Sequence, residues 1–144
     1  MKNIFSTWQL WAILSAMFAA LTAIFGKIGV EGINSDYATF IRTVVILAVL
    51  GVILYFTQQY QPLNTISQKS LTFLVLSGLA TGGSWICYYR ALKIGNASQV
   101  APIDKLSVVL VAVFGVIFLG EHISGISWIG IGLIASGAII IAMQ

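Results

Sequence analysis

The sequence predicts an all-α integral membrane protein with five transmembrane helices. Charged residues make up 8% of the 144 positions and hydrophobic residues 59%, against roughly 25% charge in a soluble domain. Mean hydropathy is +1.01, and the apolar residues fall into five runs long enough to cross the ~30 Å hydrocarbon core. So little charge cannot cover a water-facing globule, which excludes a soluble enzyme, a disordered tail and a nucleic-acid module. Seven Lys and Arg against four Asp and Glu give a net charge of +3. Those cations are scattered singly and form no basic patch.

Span 1, residues 5–25, lies in a stretch without charge between Lys2 and Lys27. At ~1.5 Å per residue it covers the hydrocarbon core. Lys2, with the small residues Ala20 and Ala23, resembles the ends of a secretory signal. The apolar run exceeds the ~7 to 15 residues of a signal core, so the helix is expected to be retained. Span 2 covers residues 37–56 and precedes a polar turn that contains Pro62, Asn64 and Ser67. Span 3 covers 71–89, and a short basic connection from Arg90 to Gly95 leads to span 4 at 99–119. Span 5 covers 126–143, leaving short connections and a single five-span domain over 1–144.

An odd number of spans places the two termini on opposite sides of the bilayer, so the cations can be sorted by side. Lys2 and Lys69 fall on the N-terminal side. Lys27, Arg42, Arg90 and Lys93 fall on the other, with Lys105 a little way into span 4 from there. The positive-inside rule leans weakly toward a cytoplasmic C-terminus, and so slight a bias is compatible with insertion in both orientations.

Three ionisable side chains lie within the spans: Arg42, Asp104 and Lys105. Each costs roughly 2.5 to 3.5 kcal/mol at a helix centre on insertion scales, so each calls for a partner or a function. Arg42 and Asp104 both sit about five residues inside, on the order of 7 to 8 Å deep. Two readings follow. In one, Arg42 and Asp104 pair beside a cavity and Lys105 contacts substrate or protons. In the other, Pro102 starts a helix, Asp104 is a first-turn acid favoured by the dipole, and Lys105 snorkels to the headgroups.

Span 3 carries two neighbouring stripes at helical spacing. One is polar, with Ser77, Thr81, Ser84 and Tyr88; the other, with Gly78, Gly82, Trp85 and Tyr89, pairs small residues with aromatics. Small residues let another helix approach closely and hydroxyls are better placed against protein or water than lipid, although plain packing with interfacial Tyr and Trp anchors produces the same pattern. Span 1 divides likewise, into Ala12, Ala16 and Ala20 and a face with Trp11, Ser15, Phe18, Thr22 and Phe25. Span 5, with Gly132 and Ser136, reads as a packing or dimerisation helix.

Other chemistry has little support. His122 is the sole histidine and Cys87 the sole cysteine, so neither a metal site nor an internal disulfide is expected. There is no phosphate-cradling loop, and no cofactor is expected. Glu31, Asp36 and Glu121 read as solvated loop acids.

The runs FGKIG (25–29), IRTVV (41–45), YRALKIGNASQVAPIDKLSVV (89–109) and FLGEHIS (118–124) resemble the EamA-type branch of the drug/metabolite transporter superfamily. The likeness covers nearly the whole chain, and its most specific part runs from the basic loop through APIDKLS to LGE. Most members resemble a tandem of two oppositely oriented five-helix repeats around a central cavity. This chain resembles the group in which one repeat stands as a separate protein. The resemblance implies a transporter, not an enzyme, in a plasma or inner membrane, with a cavity lined by the first four helices and the fifth peripheral. On this chain the matching charged positions are Arg42, Asp104 and Lys105, and the likeness favours a functional reading of them. Longer members often carry a proline where this sequence has Val108.

Inverted repeats hold substrate at their interface and alternate access by rocking one half against the other. One five-helix unit supplies half of that arrangement. The expected assembly is therefore an inverted two-fold homodimer, antiparallel if dual insertion occurs, with a parallel pair as the geometric rival. The expected activity is carriage, as an exporter, of a small metabolite or amphipathic compound. Arg42, Asp104 and Lys105 would be its charge contacts, with Ser84, Trp85, Tyr88 and Tyr89 in the cavity wall. A competing reading is an assembly subunit that stabilises another membrane protein. A small multidrug pump fits less well, because those relatives rely on an acid in the first helix and span 1 has none.

Overall fold

A computed structural model describes residues 7–143. The described chain contains α1 (Trp8–Gly29), α2 (Ser35–Thr57), a 3-10 turn (Leu63–Thr65), α3 (Gln68–Ile94), α4 (Ala97–Asp104), α5 (Ser107–Leu119) and α6 (Gly125–Ala142). Five segments are long and apolar enough to cross a membrane: α1, α2, α3, α4 with α5 taken together, and α6. No strand occurs among the described residues. Helices suit the bilayer because each satisfies its own backbone groups where no water can. The outward surface is accordingly apolar, with Phe18, Leu47, Phe56, Leu79, Phe118 and Leu133 all well exposed.

The chain divides into two compact units, Gly26–Lys93 and the remainder on either side of it. In the central unit, α1 ends in a turn at Gly32, whose φ of +77° suits a residue without Cβ. Asn34 then caps α2, its side chain accepting from the backbone N–H of Asp36 at 2.8 Å and of Tyr37 at 3.2 Å. The cap starts the helix at Ser35, two residues ahead of the hydropathy boundary. At the far end α3 runs on to Ile94, five residues beyond the predicted 89, because Arg90 and Lys93 find partners that let the helix continue past the apolar run. Buried residues of α2 and α3 cluster at this end of the pair: Ala38 and Thr39 on α2, Tyr89 and Leu92 on α3. Leu92 is fully buried. A Cβ at Gly26 would stand 3.1 Å from the Tyr89 hydroxyl and 3.3 Å from Leu92 Cδ1, so glycine there leaves room for those two side chains.

In the other unit, α6 packs along α4 and less extensively along α5, and the buried positions Ala112, Gly115 and Ala138 are all small, as close helix packing in a membrane requires. Span 4 is interrupted. α4 begins at Ala97 and ends at Asp104, so Pro102 lies inside it and not at its start. Proline lacks an N–H and its ring crowds the carbonyl four residues back. Past it the chain tightens into i to i−3 bonds, Leu106 N–H to Ile103 O at 2.9 Å, Val108 N–H to Lys105 O at 3.0 Å and Val109 N–H to Leu106 O at 3.0 Å. Such overwinding marks a mid-helix discontinuity. The first-turn reading of Asp104 is thereby corrected: it closes α4, three residues ahead of α5.

The turn after α5 is also more ordered than a solvated loop. Gly120 adopts φ +67° and the Glu121 N–H donates to Gly115 O at 3.1 Å. The Glu121 carboxylate folds back over α5, 2.6 Å from where a Cβ on Gly115 would stand.

Candidate functional site

The central unit holds a cation against an aromatic cluster inside a span. Arg42 lies one turn past the buried pair Ala38 and Thr39 on α2, and its guanidinium carbon stands 3.2 Å from the Trp85 ring centroid and 5.7 Å from that of Tyr89. Trp85 and Tyr89 are four residues apart on α3 and share a face. Trp85 meets Tyr88 edge-on at 5.7 Å and Tyr89 at 6.0 Å. The rings thus brace one another and hold a negative π-face under the cation, an attraction that strengthens as water is excluded.

Beyond Trp85 the helices leave a cleft of about 390 Å³. Arg42, Thr43 and Ile46 line it from α2; Leu74, Ser77, Gly78, Thr81, Gly82 and Trp85 line it from α3. Both stripes of span 3 therefore contribute to one wall, the glycines opening the space and the hydroxyls making it polar. Thr43 donates its hydroxyl hydrogen to Thr39 O at 2.8 Å and Thr81 donates to Ser77 O at 2.8 Å. Both hydroxyl hydrogens are thus committed to their own helices, and Arg42 is the charged group in the lining. Of the remaining residues expected from the sequence, Tyr88 and Tyr89 belong to the aromatic cluster beside the cleft, and Ser84 is exposed on α3 outside its lining. Asp104 and Lys105 belong to the other unit. There the ammonium stands 3.2 Å from the Asp104 carboxylate, at the junction where the negative end of α4 favours the Lys and the positive end of α5 favours the Asp.

Charges at the helix ends on one side of the central unit form a polar clasp that sequence reasoning missed. Arg90 grips Asp36 with two bonds, Nε to Oδ1 at 2.9 Å and the terminal nitrogen to Oδ2 at 2.6 Å, a fork geometry specific to guanidinium and carboxylate. Lys27 donates to Leu92 O at 2.7 Å, and Lys93 donates to Ile33 O. Asp36 is therefore a paired acid in the first turn of α2 and not a loop acid, although its carboxylate remains exposed to solvent. A signal was present, since Asp36 at the start of span 2 and Arg90 at the end of span 3 emerge on the same side of the bilayer. Among the described residues no three of His, Cys, Asp and Glu gather in a way that could hold a metal.

Five apolar spans, two of which enclose a largely apolar cleft with one cation and a few hydroxyls in its lining, define a polytopic helical membrane protein. The chain belongs to the EamA-like transporter family, whose family model matches residues 6–143. It is 57% identical over 137 residues to a protein of Sinorhizobium sp described as an uncharacterized transporter in the cobO 3' region, covering 95% of this chain and 97% of that one. It is also 30% identical over 133 residues to an uncharacterized protein of Methanocaldococcus jannaschii, covering 92% and 93% of the two chains. No solved structure matches the chain.

Proposed function

We propose that this protein is a cell-membrane exporter of a small metabolite or amphipathic compound, that it works by alternating access as an antiparallel homodimer, and that the α2–α3 cleft is part of the solute path. The observation that carries the reading is Arg42. A guanidinium inside a span is expensive, and here it is held on Trp85 at the mouth of a cleft with hydroxyls in its wall. Family membership and the Sinorhizobium relative's description as a transporter support carriage over catalysis.

Dimerisation rests on the span count. Five helices amount to one half of an inverted-repeat carrier, and the two relatives match over nearly their full lengths, so they too are of single-repeat size. The interruption of span 4 supports a role for Asp104 and Lys105, because broken helices in carriers present their half-helix ends to solutes and coupling ions.

Two readouts on one set of cells test the proposal. Cells producing the wild-type chain should enrich at least one small metabolite in the medium, and cells producing Arg42→Gln at equal membrane abundance should not; identical media refute transport. Single cysteines at Glu31 and at Gln61, in a Cys87→Ser background, should both label from outside and cross-link as antiparallel pairs. Labelling of one position alone refutes dual insertion.

A further inference from the structure

We propose that the α2–α3 cleft binds a soluble organic anion, its acid group on Arg42 and its apolar body alongside Trp85 and Ile46. The inference rests on reading this cleft as the solute site and names the class of solute it takes. Cation–π contact occupies the faces of a guanidinium, whereas its N–H donors project from the edge. Arg42 contacts the rings of Trp85 and Tyr89, and among the described residues of the central unit its guanidinium has no carboxylate partner and no hydrogen-bond acceptor, the one carboxylate paired there being Asp36, which Arg90 holds. The aromatic cluster therefore holds the cation in place without neutralising it. A charge in that state within a span is completed by an anion, and a planar fork of donors is the group best matched to a carboxylate or phosphate oxygen pair.

The cleft's other walls fit the rest of such a molecule. Ile46, Leu74 and Trp85 offer apolar surface, Gly78 and Gly82 leave room beside it, and the volume of about 390 Å³ suits a small solute. The committed hydroxyls of Thr43 and Thr81 add no second positive site, so Arg42 is the single anchor and a cationic ligand would meet like charge there. An anionic lipid headgroup shares the anchoring chemistry, and the test separates it from a free solute.

Trp85 reports on the site directly once Trp8, Trp11 and Trp128 are replaced by Phe in the full-length chain. In phosphatidylcholine nanodiscs, benzoate should shift Trp85 emission saturably, and benzylammonium and benzyl alcohol should not. Arg42→Gln should weaken benzoate at least about tenfold through loss of a charge-assisted pair, and Arg42→Lys, which keeps the charge, should retain measurable binding. If Arg42→Gln fails to fold, the ranking of the three probes on the parent chain decides. Saturable binding of benzylammonium in preference to benzoate overturns the anion and leaves the cleft as a solute site. Silence of all three probes overturns the anion and removes the cleft from the solute path as well. If phosphatidylglycerol reproduces the shift and benzoate adds nothing, the anion is a lipid and the proposal of a soluble ligand fails.

Discussion

Removing Arg42 and Trp85 singly and together should reveal a coupling that neither change alone would show. On insertion energetics alone, Arg42→Gln relieves a cost of up to roughly 2.5 to 3.5 kcal/mol, so an Arg42 without a partner would make the substitution stabilising. The ring opposes that. With the guanidinium carbon 3.2 Å from the Trp85 centroid in a half-buried position, the attraction lies between the ~0.5 to 1 kcal/mol of exposed pairs and the ~2 kcal/mol of desolvated ones. A coupling of about 1.5 kcal/mol is expected, close to a factor of ten in the unfolding equilibrium. Arg42→Gln should thus be about 1.5 kcal/mol more favourable in a Trp85→Leu background than in the wild type. Contacts of Trp85 with Tyr88 and Tyr89 cancel in the cycle, since they are lost in both backgrounds. Reversible unfolding in mixed micelles, followed by circular dichroism, measures all four proteins. A coupling below about 0.5 kcal/mol, within the scatter of independent sites, would refute the claim that the ring holds the cation.

Three further outcomes follow from the same geometry. Gly26→Val drives methyl groups into Tyr89 and Leu92, which already lie 3.1 and 3.3 Å from the site of a Cβ, and should cost about 1 to 3 kcal/mol by overpacking; an unchanged unfolding midpoint would contradict this. Asn34→Ala removes the acceptor for two N–H groups at the start of α2 and should cost about 0.5 to 2 kcal/mol, with Asn34→Asp recovering most of it in the same assay. If protonation of Asp104 couples transport, Asp104→Asn should abolish the pH dependence of export while the protein stays folded, and export that keeps its pH response excludes that carboxylate as the coupling group.

The spans were legible because a bilayer imposes a length and a polarity that can be summed along the chain. Their ends were less so. Hydropathy stops span 3 where charge begins, yet the helix continues through Arg90 and Lys93 because Asp36 and Ile33 O receive their donors. The capping signal at Asn34 was readable, being an amide just ahead of an apolar run, but the apolar boundary masked it. Span 4 was read as one helix, with Pro102 an optional start. The break fell after that proline, where several backbone bonds had to shift together, and no single residue type marks such a place.

The sequence alone establishes membrane residence, five segments long and apolar enough to cross, the family motif and a guanidinium within span 2, because each depends on composition or on local order. Which partner that guanidinium takes was not determined this way. Pairing of Arg42 with Trp85, the merging of two stripes of α3 into one cleft wall, and the bidentate grip of Arg90 on Asp36 all depend on the rotation and axial register of α2 against α3. Those quantities show only in contacts between residues far apart in the chain, Arg42 with Trp85 and Asp36 with Arg90, and a sum along the chain carries no term for contacts at that separation.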